Sequence, residues 1–274
     1  MRKSIFNQII LQVILIALIV IMLYPLAMAV WCAVKTTYNY DLTKWYPTFP
    51  LQINNLTVAW NACRRFILNT VFVGIVATVA SLILSSLAAY AFAKIDFPGN
   101  KIFFSAMMSL MMIPGVLTLV PSHMLYCKLN MYNTYLALIL PTALNGSVFG
   151  VFLLVSFFKG IPESLFEAAR LDGASEARCF MVIAMPLCKA ILGTLAIMKI
   201  IGVWNDYLWP QIIIRDMDKQ LISSGLAFMF TGMYASNMPI TYAGYLLASI
   251  PIILLFSVTS KFYIEGLMTS GLKL

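Results

Sequence analysis

Long apolar runs recur along this chain of 274 residues, and they constrain its fold more than any other feature. The first run, residues 9–34, contains no charged side chain. A helix crosses the lipid core with about 20 predominantly apolar residues. Lipid offers no hydrogen-bond partner to backbone N–H and C=O groups, and a helix satisfies these groups internally. Only 10% of the residues are charged, against about 25% in a soluble domain. The sequence therefore predicts an all-α integral membrane protein.

Six apolar runs predict six transmembrane helices. The runs cover residues 9–34, 66–93, 102–127, 135–158, 187–209 and 240–260. Three prolines are candidate kinks because proline removes a helix hydrogen bond: Pro25, Pro114 and Pro121. We expect a single transmembrane domain over residues 1–274 with a core at 66–262, an outer segment at 35–65 carrying a short helix near 58–64, and a cytoplasmic segment at 159–187.

The distribution of lysine and arginine predicts the orientation of these helices. Loops on the side of the N-terminus carry more basic residues than those on the other side, and most of them are shorter. Short basic loops stay in the cytoplasm. The sequence therefore predicts that both termini are cytoplasmic.

Several kinds of site are disfavoured by the residues present. The five cysteines are odd in number and widely spaced, which predicts neither a disulfide framework nor a metal site. One histidine, His123, is too few for a histidine-based metal site or triad, and we expect it to pack or to bond a neighbouring helix. The basic residues are scattered rather than gathered into a nucleic-acid-binding patch. No pair of carboxylates suggests hydrolysis, so we expect no enzyme active site.

One charge-dense stretch, residues 162–186, interrupts the apolar pattern. Pro162 suits the first turn of a helix, Gly173 suits its left-handed end, and Ser175 can cap a second helix. The stretch therefore predicts a helix–turn–helix on the cytoplasmic face. Acids on both sides of the turn favour docking of a protein, and the alternative is an amphipathic helix resting on lipid headgroups.

The same stretch resembles a known signature. Glu167-Ala-Ala followed by Gly173, Ile183 and Pro186 is similar to the EAA signature of ABC importer permeases, with Met185 where leucine is usual. Further stretches resemble the second permease subunit of carbohydrate uptake systems: SSLAAYAFAKIDFPG (85–99), MIPG (112–115), NTYLALILP (133–141) and WNDYLWP (204–210). The resemblance covers nearly the whole chain and implies the type I importer permease fold.

The resemblance also implies partners and a membrane. It implies a non-catalytic subunit of a bacterial or archaeal cytoplasmic membrane, paired with a second permease, two cytoplasmic ABC ATPases and an extracellular solute-binding protein. ATP and Mg would be bound by the ATPase partners and this chain would hold no cofactor; the sequence lacks the G-x-x-x-x-G-K-[ST] phosphate loop. The residues implied to couple to the ATPase are Glu167, Ala168, Ala169, Asp172, Gly173 and Ala174.

Four polar or aromatic residues are candidates for the substrate pathway: Asn145, Lys199, Trp204 and Asn205. Polar groups inside spans are costly and often functional. Lys199 would suit an acidic or phosphorylated solute, or it pairs between helices; Asn145 bonds a solute hydroxyl or a neighbouring helix. Trp204 and Asn205, with the neighbouring Asp206, Tyr207 and Trp209, combine aromatic faces with carboxylate and amide groups, which suits sugars; alternatively the aromatic residues belong to the interfacial belt.

The expected function is therefore import of a sugar or oligosaccharide. The nearest alternative keeps the machinery and carries a polyol, a glycerol phosphate or an acidic saccharide, for which Lys199 is the support. An ion-coupled secondary transporter is disfavoured because no aspartate or glutamate lies in the middle of a predicted span. A membrane-embedded enzyme is disfavoured because no catalytic set is clustered.

Overall fold

A computed structural model describes the backbone of residues 5–271 and the side chains of residues 7–259. This part of the chain is helical and contains no strand, which confirms the all-α prediction. Four helices are long and apolar enough to cross a membrane, and the number rises to six when each of two bent helix pairs is one span. The four are α1 (Ile5–Ala33), α3 (Asn54–Lys94), α6 (Leu136–Gly160) and α13 (Met238–Gly271).

Helix α3 is longer than the sequence predicted. The short helix expected near 58–64 and the span expected at 66–93 form one continuous helix of 41 residues. Arg64 and Arg65 lie between the two and are good helix formers, so nothing there interrupts the helix. At 1.5 Å per residue α3 measures about 60 Å, roughly twice the thickness of the lipid core.

The third predicted span, in which two proline kinks were expected, is broken into two helices. Helices α4 (Asn100–Ser109) and α5 (Gly115–Lys128) are joined through a 3-10 turn, Leu110–Met112, and the two arms are bent by 100°. Pro114 lies at the break, as predicted, and Ile113 before it is extended, the conformation that a following proline favours. Pro121 and Pro25 lie inside α5 and α1, which remain single helices.

The fifth predicted span is also shorter than its apolar run. Helix α10 (Lys189–Asn205) ends before Trp209, because the backbone at Asp206 is extended and a separate helix, α11 (Leu208–Ile213), follows. The preceding helical segment, Glu176–Leu187, is bent by 76° from α10. The chain continues through α12 (Ile222–Thr231) to α13, which contains the sixth predicted span; beyond residue 259 only its backbone is described.

The chain packs as two compact units. The first comprises residues 1–65 and 225–251. In it the outer segment is ordered around Lys35, whose side chain is fully buried and whose Nζ donates to the carbonyl of Thr43 at 2.6 Å. The Asn55 amide donates to the carbonyls of Ala33 and Lys35 at 3.0 and 2.8 Å. These bonds offset the cost of burying polar groups and hold the segment that contains α2 (Thr37–Leu42).

The second unit, residues 66–224 and 252–274, holds every candidate functional residue. One of its apolar cores surrounds Phe158 and Phe166, where α3, α6 and the charge-dense segment meet. Another surrounds Trp209, whose Nε1 donates to the carbonyl of Ala137 at 2.8 Å and so fixes α11 against α6.

Candidate functional site

The charge-dense segment folds as the predicted helix–turn–helix. Helix α7 (Glu163–Leu171) ends at a turn in which Gly173 has φ of +82°. The N–H of Gly173 donates to the carbonyl of Arg170 at 3.0 Å, and that of Ala174 donates to Ala169 at 2.9 Å. This pair of bonds is the Schellman arrangement that ends helices, and it needs a left-handed residue after the C-cap. Glycine therefore fits the turn because it has no Cβ.

The second arm of the elbow begins where the sequence predicted. The Ser175 hydroxyl accepts from the N–H of Arg178 at 3.4 Å and caps α8 (Glu176–Cys179). A π-helical turn, Phe180–Ala184, connects α8 to the short α9 (Met185–Leu187), where the arm ends. We call α7, the turn and the arm Glu176–Leu187 the coupling elbow.

The outer face of the coupling elbow is open. Glu167, Ala168, Asp172 and Gly173 are exposed, whereas Ala169 and Ala174 are half-buried and pack against the apolar core beneath. Glu167 has no hydrogen-bond or ion-pair partner among the described residues. Leu171, which the sequence reasoning did not single out, is 90% exposed. This exposed face leaves room for another protein surface to approach the turn.

The inner face of the coupling elbow is anchored by Phe166. This side chain is fully buried and packs in one cluster with Phe158 of α6 and Tyr90 of α3. The rings of Tyr90 and Phe166 lie 6.2 Å apart between centroids, and those of Tyr90 and Phe158 lie 6.1 Å apart. Burial of one aromatic side chain contributes about 2–3 kcal/mol, so α7 is held to the ends of two membrane-spanning helices.

A chain of charged hydrogen bonds ties both arms of the coupling elbow to the end of α3. Lys94 Nζ lies 2.9 Å from Glu163 Oε2, and Arg170 Nη1 lies 3.0 Å from Glu163 Oε1. Arg170 Nε lies 2.7 Å from Glu176 Oε1, and the Tyr90 hydroxyl donates to Glu176 Oε2 at 2.8 Å. We call these five residues the charge ladder. It passes from α3 through α7 to the second arm, so the two arms are connected to each other and to a span.

The charge ladder favours the charged forms of its Glu163 carboxyl and its Arg170 guanidinium. The Lys94 ammonium, and after it the Arg170 guanidinium, lower the pKa of the Glu163 carboxyl below its usual value, against an opposing effect of burial. Hydrogen bonds to Glu176 and Glu163 raise the pKa of Arg170. The Lys94 side chain is only 3% exposed and also donates to the carbonyl of Ile161 at 2.8 Å. Sequence reasoning missed Tyr90 and Lys94 as partners of the elbow, although both lie in the stretch 85–99.

The four pathway candidates divide into two pairs. Lys199 of α10 and Asn145 of α6 line the same cavity. Trp204 and Asn205 line neither of the two cavities that Lys199 lines. The side-chain amide of Asn205 donates to the carbonyl of Ile201 in its own helix at 3.0 Å, and Trp204 is buried.

Two other residues of the aromatic stretch 204–210 line a cavity with Lys199. The cavity shared by Lys199 and Asn145 also contains Asp206 and Trp209, which the sequence analysis grouped with Trp204 and Asn205. Helix α10 ends at Asn205, and Asp206 and Trp209 follow in the turn and in α11. The stretch therefore contributes to this cavity through Asp206 and Trp209 rather than through Trp204 and Asn205.

His123 packs against neighbouring side chains, which is one of the two roles expected from the sequence. Its ring lies edge-on to Tyr132 with centroids 5.9 Å apart, and Nε2 lies 3.7 Å from Cys127 Sγ. The described residues contain no group of three or more histidine, cysteine, aspartate or glutamate side chains that could hold a metal ion.

Comparisons with known proteins converge on one class. The family described as "Binding-protein-dependent transport system inner membrane component" matches residues 81–264. The chain is 36% identical over 205 residues to an arabinooligosaccharides transport system permease of Halalkalibacterium halodurans, covering 75% of this chain and 72% of that protein. It is 29% identical over 252 residues to a melibiose/raffinose/stachyose import permease of Bacillus subtilis, covering 91% of each. It is 33% identical over 207 residues to an sn-glycerol-3-phosphate transport system permease of Shigella flexneri, covering 75% and 73%.

A solved structure shares the fold. It is a chain of a bacterial ABC transporter involved in the import of the acidic polysaccharide alginate, with a TM-score of 0.83 and 21% sequence identity. The match covers 96% of this chain and 98% of that chain. It therefore supports the helix arrangement over almost the full length.

Proposed function

The chain belongs to the inner membrane components of binding-protein-dependent transport systems, and we propose that it forms one half of the pathway of an ATP-driven importer for a sugar or oligosaccharide. The relatives named for arabinooligosaccharides and for melibiose, raffinose and stachyose support this cargo. The relative named for sn-glycerol-3-phosphate supports the alternative cargo, a polyol phosphate or acidic saccharide. This chain would contribute no catalytic residue.

The observation that carries the proposal is the attachment of the coupling elbow. Its outer face, with Glu167 and Leu171, is free to meet a cytoplasmic ATPase. Its inner face is fixed to α3 and α6 through Phe166 and the charge ladder. A force applied to the outer face therefore moves the ends of two spans, and such movement is what alternating access requires. ATP binding would close the ATPase dimer and open the pathway outward, and hydrolysis would reset it.

The partners that we propose are those that the family implies. This chain has no phosphate-binding loop, so ATP and Mg would be bound by two ATPase subunits. A second permease would complete the pathway, and an extracellular solute-binding protein would deliver the cargo. Both termini would lie in the cytoplasm of a bacterial or archaeal cell, which places the coupling elbow on the ATPase side.

Co-purification of the tagged chain from cells that express its whole operon tests this proposal. Leu171→Glu places a charge on a side chain that is 90% exposed, so folding is preserved while the docking face is changed. We expect the parent to retain a P-loop ATPase and a second permease, and the variant to lose about tenfold or more of the ATPase while keeping the second permease, since burying an unpaired charge is costly. Leu171→Met is the matched control. A parent chain that purifies alone would refute the importer proposal.

A further inference from the structure

Lys199 carries an ammonium group within a membrane-spanning helix, and no described residue pairs with that group. It lies in α10, a helix that is otherwise free of charge between Lys189 and its end at Asn205. Among the described residues, no hydrogen-bond acceptor and no carboxylate pairs with its Nζ. A charged side chain at membrane depth is costly, and such groups normally pair with one another or face a water-filled pathway.

A glycine on the neighbouring helix makes room for this side chain. The Lys199 side chain crosses directly over Gly146 of α6, so closely that a Cβ built on Gly146 would overlap its Nζ and Cε. No residue other than glycine therefore lets the lysine take this path. We call this arrangement the lysine seat.

The lysine seat lies where two cavities meet. One cavity is lined by three hydroxyl-bearing residues of α3, Thr78, Ser81 and Ser85, together with apolar side chains that include Phe149 and Leu195. The other is lined by Thr118 and Ser122 of α5 and by Thr142 and Asn145 of α6. Lys199 is the one residue that the two linings share. An ammonium flanked on both sides by hydroxyl and amide groups matches a solute that carries an anionic group together with hydroxyls.

The charges around the seat favour an anion. Lys199 is the single charged residue lining the first cavity. In the second, Asp206 is the other charged residue, and its Oδ1 accepts from the N–H of Trp209 at 3.4 Å rather than pairing with Lys199. A carboxylate or phosphate can form a charge-assisted hydrogen bond with the ammonium in which both partners are charged, which a neutral sugar cannot.

We propose that Lys199, seated on Gly146, binds the anionic group of a polyhydroxylated solute on its way through this subunit. The inference rests on the proposed importer function and narrows its cargo to solutes with a carboxylate or phosphate. The hydroxyl groups of the two cavities would contact the remainder of the solute, before and after it passes the lysine.

The test is uptake by proteoliposomes that contain the complete importer with its own binding protein. Three probes separate the cargo classes: raffinose as a neutral sugar, digalacturonate as a carboxylate and glycerol-3-phosphate as a phosphate. We expect ATP-dependent uptake of at least one anionic probe, and a loss of about tenfold or more in Lys199→Met, the effect of removing a charge-assisted hydrogen bond. Lys199→Arg should restore part of that uptake, because the guanidinium keeps the positive charge. Uptake of the anionic probes should fall more in Lys199→Met than ATP-dependent uptake of raffinose, which a purely structural role would not predict.

Two glycine variants form a matched pair for the same assay. Gly146→Ala should displace the lysine and lower anion uptake, whereas Gly74→Ala should not, because its added methyl group makes an ordinary 3.8 Å contact with Val203 and Gly74 lines neither cavity. Uptake of raffinose alone, or anion uptake that Lys199→Met leaves unchanged, would overturn the inference while the importer function stands. Failure of the complex to assemble, or uptake that does not require ATP, would instead contradict the proposed function.

Discussion

Two residues of the coupling elbow are required for opposite reasons: Gly173 because it has no side chain, and Phe166 because its side chain is large. Gly173 is on the open side, where a Cβ would meet no atom within 4 Å, and it is required by its backbone angle alone. Phe166 is on the closed side, with no exposed surface, and it is required by its volume. The first residue sets the angle between the two arms, and the second fixes one arm to the spans.

We predict that Gly173→Ala destabilises the elbow modestly. The left-handed conformation costs an alanine about 1–2 kcal/mol, and no steric clash adds to this cost. The expected result is a small fall in the thermal unfolding midpoint of the purified protein. Gly202→Ala, in an ordinary helix with the same open surroundings, is the control and should leave the midpoint unchanged or slightly raised. Equal effects of the two substitutions would show that the left-handed angle is unimportant.

A larger loss is expected from Phe166→Ala. Removing a fully buried aromatic side chain typically costs about 3–5 kcal/mol, since it leaves a cavity among Tyr90, Phe158 and their neighbours. Thermal unfolding should show a fall of several degrees. Leu165→Ala, on the same helix with its side chain 47% exposed, should have a much smaller effect. If the two variants unfold alike, Phe166 does not anchor the elbow.

At the scale of helices, the charge ladder connects elements that are distant in sequence. Lys94 and Glu163 are 69 positions apart, and Tyr90 and Glu176 are 86 positions apart. Both carboxylates remain close to half-exposed, so each pair contributes at most about 1 kcal/mol. The ladder therefore helps to orient the coupling elbow relative to α3, while the stability of this contact comes mainly from the apolar core around Phe166.

The ladder predicts a pH dependence of stability with a defined sign. Because the folded state lowers the pKa of Glu163 from 4.5, its contribution is complete above that value and is lost as the pH falls through the lowered folded pKa. The unfolding midpoint of the parent should therefore fall on acidification below about pH 4.5 more steeply than that of Glu163→Gln. Glu167→Gln removes an exposed, unpaired acid one turn away on the same helix and should behave as the parent does. A parent and Glu163→Gln with parallel pH profiles would exclude a role of the Glu163 pairs.

Much of the fold was predictable because apolar length and helix-ending residues are local signals. The elbow, its left-handed Gly173, its Ser175 cap and the break at Pro114 all follow from such signals. The continuous α3 was not predicted, since a change from polar to apolar sequence does not end a helix unless a breaker accompanies it. The end of α10 before Trp209 was missed for the converse reason: its apolar run continues past the helix end.

The contacts between helices required the structure. Nothing in the sequence near Lys199 indicates that Gly146 lies beneath it, because the two residues are on different helices. The same holds for the ladder, although Tyr90 and Lys94 belong to a stretch that the family resemblance had singled out. The open face of the elbow was predicted in outline, and the exposed Leu171 emerged only from its position at the end of α7.

At the scale of the whole molecule, the second unit contains both the coupling elbow and the cavities at Lys199. The coupling elbow presents an unpaired acid and an exposed leucine on one side, and it is attached through Phe166 and the charge ladder on the other. The cavities at Lys199 lie among α3, α5, α6 and α10, and two of these helices, α3 and α6, also carry the elbow. The same helices line the cavities and would receive a force applied to the elbow, which is the physical basis of the proposed coupling.

The most direct test of this account is uptake of labelled solute by proteoliposomes containing the assembled complex and its binding protein, measured with and without ATP and with and without proton and sodium gradients. The account predicts uptake that requires ATP on the side of the membrane where the ATPase subunits lie. This uptake should fall about tenfold or more in Leu171→Glu, which leaves the pathway intact and alters only the docking face. Uptake that persists without ATP and disappears with the ion gradients would contradict the account and identify an ion-coupled transporter instead.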